Sequence, residues 1–224
     1  MATRVKGQPP LKDGRGQART RLARRAVVEA SRALFLESGY AATTIDAISE
    51  RSDVPPATVY RLFSSKLGIL KALLDVSVAG DDRGLTLQGR PQVAAVFAEH
   101  DLEKLLAGFA GISVAINERS GDIYRILVSA AGSDPEAAAL QSDYMRMRDL
   151  GQGLIAAALA RAGALRAGLK EHDAADVIHA LMSPELYWLL VMDRGWARER
   201  YEKWLAEVLI AQLLARTATG VSSK

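Results

Sequence analysis

The chain of 224 residues contains no cysteine. Neither a disulfide nor a thiolate metal site can form in it, and the absence fits a reducing compartment. Histidine is scarce: His100, His172 and His179 are the only three. The last two lie two helical turns apart, too far for the i, i+4 pair of a helical zinc site, so no metal is expected. The G-x-S-x-G elbow, the phosphate-binding loop and the glycine-rich dinucleotide fingerprint are also missing. Without them neither catalysis nor a cofactor is expected. Long apolar runs are absent: Leu186 to Met192 is among the most apolar stretches, far short of the roughly 20 residues that cross a bilayer. Arg4, Lys6, Lys12 and Arg15 interrupt any apolar signal core near the start. No segment alternates apolar and polar residues as a strand would, so the fold is expected to be all-α.

What is present has ordinary proportions, 49% hydrophobic and 25% charged, enough for one or two domains with a substantial core. The net charge of +3 is unevenly spread. Residues 1–70 hold 12 Lys/Arg against 6 Asp/Glu, and the remainder 17 against 20. A cationic first third suggests an anionic partner, nucleic acid above all; a solvated basic tail is the plainer alternative.

Residues 1–18 are rich in Gly, Pro, Gln and Lys/Arg and read as a mobile arm, since they cannot bury enough surface to offset ordering. From Arg19, Leu22, Ala26, Val27, Ala30, Ala33 and Leu34 recur at helical spacing up to a glycine stop at Gly39. Thr43 then opens a short helix, with Asp46 suited to a capping box. The stretch SDVPPATVYRLFSSK, Ser52 to Lys66, raises the question of what two adjacent prolines do there. Proline at a first helical position loses no hydrogen bond and has φ preset. The pair is a stop-and-restart signal, with Pro55 at the cap and Pro56 opening a helix to about Leu62. A fourth helix is expected from a cap at Ser64 to about Gly80, then a linker over Asp81–Pro91. Further helices are expected near 92–99, 101–117, 121–132, 135–163, 172–194 and 197–216, the fifth kinked at Pro184.

Two short helices joined by a tight turn and braced on both sides form a helix-turn-helix arrangement, whose second helix enters the major groove. Arg24 to Leu70 resembles the TetR family of bacterial transcriptional regulators. Phe35, Gly39, Tyr40, Thr43, Ile48, Val54, Thr58, Tyr60, Phe63, Lys66 and Leu70 fall in the family's register. The resemblance implies a DNA-binding head at 19–66 with a linking helix to about 80. It also implies an effector-binding and dimerisation domain at 81–216, followed by a tail at 217–224. It implies phosphate contacts from Thr43, Thr44, Tyr60 and Lys66, which set register. Pro56, Ala57, Thr58 and Arg61 are then the exposed reading surface, with Arg61 a fork for guanine and Ala57 and Thr58 suited to a thymine methyl. Lys66 alone could equally be a solvated lysine. Asp53, Pro55 and Ala57 depart from the family's usual Gly, Ser or Thr, and Gly.

The resemblance further implies a cytoplasmic homodimer on double-stranded operator DNA, a repressor released by a largely apolar small molecule, with no membrane and no enzyme activity. The dimer face is expected on Leu150, Leu154, Ala158, Ile178 and Leu181; an internal core helix is the alternative. Phe109, Ile116, Tyr124 and Met147 would line an effector pocket, or an ordinary core. His100, Asn117 and Arg119 are its candidate polar anchors, or as easily surface residues.

Overall fold

A computed structural model describes residues 14–80 and 89–215. The expected arm before Gly14, most of the linker and the tail lie outside them. The described residues are helical apart from turns and one isolated bridge, Leu165 to Leu214. The chain divides into two compact units, Met1–Ala72 and Leu73–Lys224.

The first unit holds α1 (Gly14–Ala42), α2 (Ile45–Ser52), α3 (Pro56–Phe63) and the start of α4 (Lys66–Ala79). The α1 run begins at Gly14 and so takes up the last five residues of the stretch expected to be the arm, and its regular geometry breaks at Gly39, where φ is +80°. Val27, Phe35, Ile48, Val54, Val59 and Phe63 are buried. Val54 lies in the turn between α2 and α3, and the others are the apolar positions that α1, α2 and α3 turn toward one another.

In the second unit α5 (Pro91–Phe97) and α6 (Leu102–Ala131) precede α7 (Pro135–Arg161), α8 (Glu171–Leu181), α9 (Pro184–Tyr187) and α10 (Arg198–Leu213). α10 and α7 pack on α6, and α8 packs on α7. Their shared core includes Leu106, Val114, Ile155, Leu159, Ile178, Tyr201, Leu205 and Leu209. Asp101 and Asp134 cap α6 and α7, each accepting two backbone N–H groups, the use for which aspartate is favoured at that position.

Two expectations are corrected. The break at Ser120-Gly121 does not exist: α6 is continuous, and the Ser120 hydroxyl donates to the Ile116 carbonyl at 2.8 Å. Packing of a long face outweighs a local preference of about 1 kcal/mol. The single kinked helix expected at 172–194 is three pieces. α8 ends at Leu181, the Ser183 hydroxyl caps a new helix at the Leu186 N–H (3.2 Å), and Pro184 is its first residue. A π-helical turn, Trp188–Asp193, follows. Proline here starts a helix rather than bending one.

Candidate nucleic-acid interface

The segment of α2 and α3 is built from its turns. Asp53 takes the left-handed conformation, φ 53° and ψ 35°, which an Asx residue tolerates better than others. The Ser49 hydroxyl donates to the Val54 carbonyl at 2.7 Å and the Val54 N–H to the Ser49 carbonyl at 3.2 Å, closing the turn. Pro55 is the N-cap and Pro56 the first residue of α3. The Thr58 and Val59 N–H groups both donate to the Pro55 carbonyl, and neither proline carries an N–H. Few backbone donors therefore remain at this end.

α3 is held from beneath by Val59 and Phe63, both buried. Arg24 of α1 donates to the Leu62 carbonyl at 3.2 Å and lies 4.6 Å over the Phe63 ring. α3 then ends sharply at Ser64 (φ 65°, ψ −39°). The next helix passes so close that a Cβ on Gly68 would sit 2.0 Å from the Phe63 carbonyl oxygen. Only glycine fits there. The Ser65 hydroxyl accepts the Gly68 N–H at 3.0 Å, so Ser65, not the expected Ser64, caps α4.

This frame leaves Pro56, Ala57, Tyr60 and Arg61 exposed along one side of α3, with Thr58 half-buried. Among the described residues neither the Tyr60 hydroxyl nor the Arg61 guanidinium has a hydrogen-bond or ion-pair partner. Tyr60 is 53% exposed, a large aromatic left in solvent.

The two threonines divide their roles differently from expectation. Thr43 is buried and its hydroxyl donates to the Gly39 carbonyl at 2.8 Å. Thr44 is the actual N-cap of α2 and is exposed; it accepts the Ala47 N–H at 3.1 Å. Asp46 therefore completes no capping box, because the third helical position is Ala47. Thr44 keeps its own O–H free to donate, whereas Thr43 braces the α1–α2 junction.

Lys66 is held by the chain itself. Its ammonium donates to the carbonyls of Tyr40 (2.7 Å), Thr43 (2.8 Å) and Ala41 (3.3 Å), and lies 4.4 Å from the centre of the Tyr40 ring. An ammonium has three N–H donors, and all three are committed to the chain. Arg51 likewise grips Glu37 with both terminal nitrogens, at 2.5 and 2.8 Å. That hydrogen-bonded pairing holds the Glu37 carboxyl below its ordinary range.

The second unit sorts the remaining candidates. Phe109 and Tyr124 are buried, the Tyr124 hydroxyl donating to Glu185 at 3.0 Å, and Ile116 is half-buried. Met147 is 57% exposed and points out of the unit, so it lines no interior pocket. Leu150 and Leu154 are exposed on α7 and Ala158 is half-buried. Ile178 is completely buried in the protomer core, and half-buried Leu181 packs against that core. Neither is on a free face, because the apolar stripe of α8 is already used within the chain. Asn117 is buried and donates to the Met182 carbonyl at 3.5 Å, while His100 is exposed. Arg119 donates to the carbonyls of Ser77 and Val78 at the end of α4. Among the described residues no helix is long and apolar enough to cross a membrane.

Residues 27–73 match the family described as bacterial regulatory proteins, tetR family. An uncharacterised helix-turn-helix-type transcriptional regulator, YvkB of Bacillus subtilis (strain 168), is 37% identical over 62 residues, which are 28% of this chain and 32% of YvkB. The match thus spans about a third of that relative. Likeness of fold extends further. NalD, the secondary repressor of the MexAB-OprM multidrug efflux pump in Pseudomonas aeruginosa, superposes with a TM-score of 0.66 at 19% identity, covering 88% of this chain and 100% of NalD. A regulator structure from Saccharomonospora viridis in complex with choline has a TM-score of 0.66 at 18% identity, covering 87% of this chain and 98% of its own. Residues 27–73, which carry α2, α3 and the turn between them, are thus the part of the chain that is similar to the tetR family of bacterial regulatory proteins.

Proposed function

We propose that the protein is a sequence-specific DNA-binding transcriptional regulator, a repressor released from its operator by a small molecule. The observation that carries this reading is the exposed side of α3. Pro56, Ala57, Tyr60 and Arg61 face solvent from a helix whose other side is locked by Val59, Phe63 and Arg24. A rigid helix offering an unpaired guanidinium and a phenol is suited to a major groove, with Arg61 a fork for guanine. Tyr60 and Thr44 supply hydroxyl donors for flanking phosphates. The half-buried Thr58 contributes its methyl at the edge of this surface.

The reading includes a homodimer. Leu150 and Leu154, with Met147 one turn earlier, leave an apolar stripe on α7 of the kind that a second copy covers. NalD, a repressor, and the choline complex of the S. viridis regulator support repression and small-molecule control by likeness of fold. Phe109, Ile116 and Tyr124 remain interior candidates for the effector, and α4, which runs from one unit into the other, is the natural lever.

The test is selection of bound duplexes from a random pool, then anisotropy titrations at several salt concentrations. A palindromic operator and a steep loss of affinity with salt are expected. Arg61→Ala should relax specificity at one or two positions of each half-site, at about 1–3 kcal/mol. Binding that ignores both sequence and salt would overturn the reading.

A further inference from the structure

α1 is longer than the core beneath it requires. Val27 is its first buried residue, and from Gly16 to Ala26 every residue is exposed or half-buried. About three turns of helix therefore stand clear of the apolar core. Their composition makes them costly. Residues 14–28 hold five arginines, at 15, 19, 21, 24 and 25, and no acid. Cations are unfavourable at the positive end of a helix, and Arg21 and Arg25, four residues apart, repel. A segment that buries nothing and repels itself gains stability from a counter-charge outside it.

Two of the arginines are already used. Arg25 pairs with Glu29 at 2.8 Å. Arg24 donates to the Leu62 carbonyl and covers the Phe63 ring, which turns that side of α1 toward the C-terminal end of α3. Positions 17, 20, 21 and 24 share one side of a helix. An open groove runs along it, lined by Gly16, Gln17, Thr20, Arg21 and Arg24. The Thr20 hydroxyl is turned back to the Gly16 carbonyl at 3.0 Å. That leaves Gln17 and Arg21 as the free polar groups of the groove. Arg21 is exposed and, among the described residues, has no hydrogen-bond or ion-pair partner. Arg19 is also exposed and without a partner among them. It lies two residues from Arg21, and so projects about 200° away around the helix.

We propose that this side of α1 is a second DNA-binding element, in which Arg21 and Gln17 hold phosphates of the strand that borders α3, beyond the bases that α3 meets. The proposal rests on the regulator reading above, which seats α3 in a major groove. The free groups, a guanidinium and an amide, offer N–H donors suited to phosphate oxygens, and the guanidinium adds charge. The groove is continuous with α3 through Arg24, so a duplex on the exposed side of α3 passes its backbone along the adjoining turns of α1. Phosphates are the same in every sequence, so the element adds affinity and not specificity.

The test is anisotropy titration of the full chain at several salt concentrations, on the duplex recovered by the selection above and on a scrambled duplex of the same length. Arg21→Gln should reduce the slope of log affinity against log salt by about 0.9 per protomer on both duplexes, which is about a 3.5-fold smaller loss of affinity between 50 and 200 mM salt. The preference for the selected duplex and the unfolding midpoint should keep their wild-type values, because Arg21 is exposed. Arg21→Lys should restore most of the slope. Arg19→Gln removes the same charge from the opposite side and should leave the slope unchanged. A slope unaltered by Arg21→Gln overturns the proposal. So does a slope lowered equally by Arg19→Gln, which would mean that the arginines act only as a diffuse positive field. If Arg61→Ala weakens the preference for the selected duplex while Arg21→Gln is silent, the regulator reading stands and this proposal alone falls. A wild type without any preference overturns the regulator reading, and the slopes still decide this proposal. A wild type that binds neither duplex overturns both.

Discussion

Lys66→Met separates a brace from a phosphate contact. The wild-type ammonium donates to three carbonyls around the α1–α2 junction, two at 2.7 and 2.8 Å and one at 3.3 Å. Methionine keeps the apolar stem and removes every donor. Hydrogen bonds from a charged donor contribute about 1.5–3 kcal/mol each when well made. These carbonyls are at most partly buried, so water replaces some of the loss. A net cost of about 2–3 kcal/mol follows, most of it from the two short bonds. In a chain of this size that lowers the unfolding midpoint by about 4–12 °C. Lys66→Arg should recover little, since a planar fork does not direct three donors at converging carbonyls. The decisive measurement is operator affinity across a salt series. A lost phosphate contact reduces the slope of log affinity against log salt by about 0.9. A lost brace weakens binding by misplacing Thr44 and α2 while leaving the slope unchanged. A Lys66→Met protein of wild-type stability whose slope falls by about one would refute the bracing argument and return Lys66 to the DNA.

Gly68→Ala should be far more damaging than its size suggests, because the new methyl would lie 2.0 Å from the Phe63 carbonyl; circular dichroism should show loss of the first unit's cooperative unfolding, and a wild-type melt would contradict the close approach. Asp53→Gly should raise stability by about 1 kcal/mol in urea unfolding, since glycine takes φ 53° without the side-chain penalty; destabilisation would mean that the aspartate side chain holds the turn. Leu154→Glu, at a residue 51% exposed, should leave the protomer folded and shift sedimentation toward monomer, whereas Leu181→Glu should damage the protomer itself, because Leu181 packs on its core. Glu37→Gln should remove the stability that the depressed Glu37 carboxyl contributes above its unfolded pKa, a contribution lost as pH falls through the lower folded value; the mutant's acid-unfolding midpoint should accordingly move toward neutral pH.

The helical class, the short helices about the Pro55-Pro56 pair and the apolar side of α3 that is covered could all be read along the chain. Each is a local matter: proline fixes φ and lacks an N–H, and apolar residues at helical spacing mark the face that must be covered. Contacts between residues distant in sequence could not be read this way. Lys66 looks like a free cation until the carbonyls of Tyr40, Ala41 and Thr43, more than twenty residues earlier, converge on it. Two adjacent threonines are indistinguishable until Thr43 is turned inward to Gly39 and Thr44 outward to cap α2. Ile178 and Leu154 are both apolar and helical; one is in the protomer core and the other in solvent because α7 and α8 each have a single face against the bundle. Periodicity reports which side of a helix is apolar, and only the packed chain decides which groups of distant segments meet there and which are left without a partner.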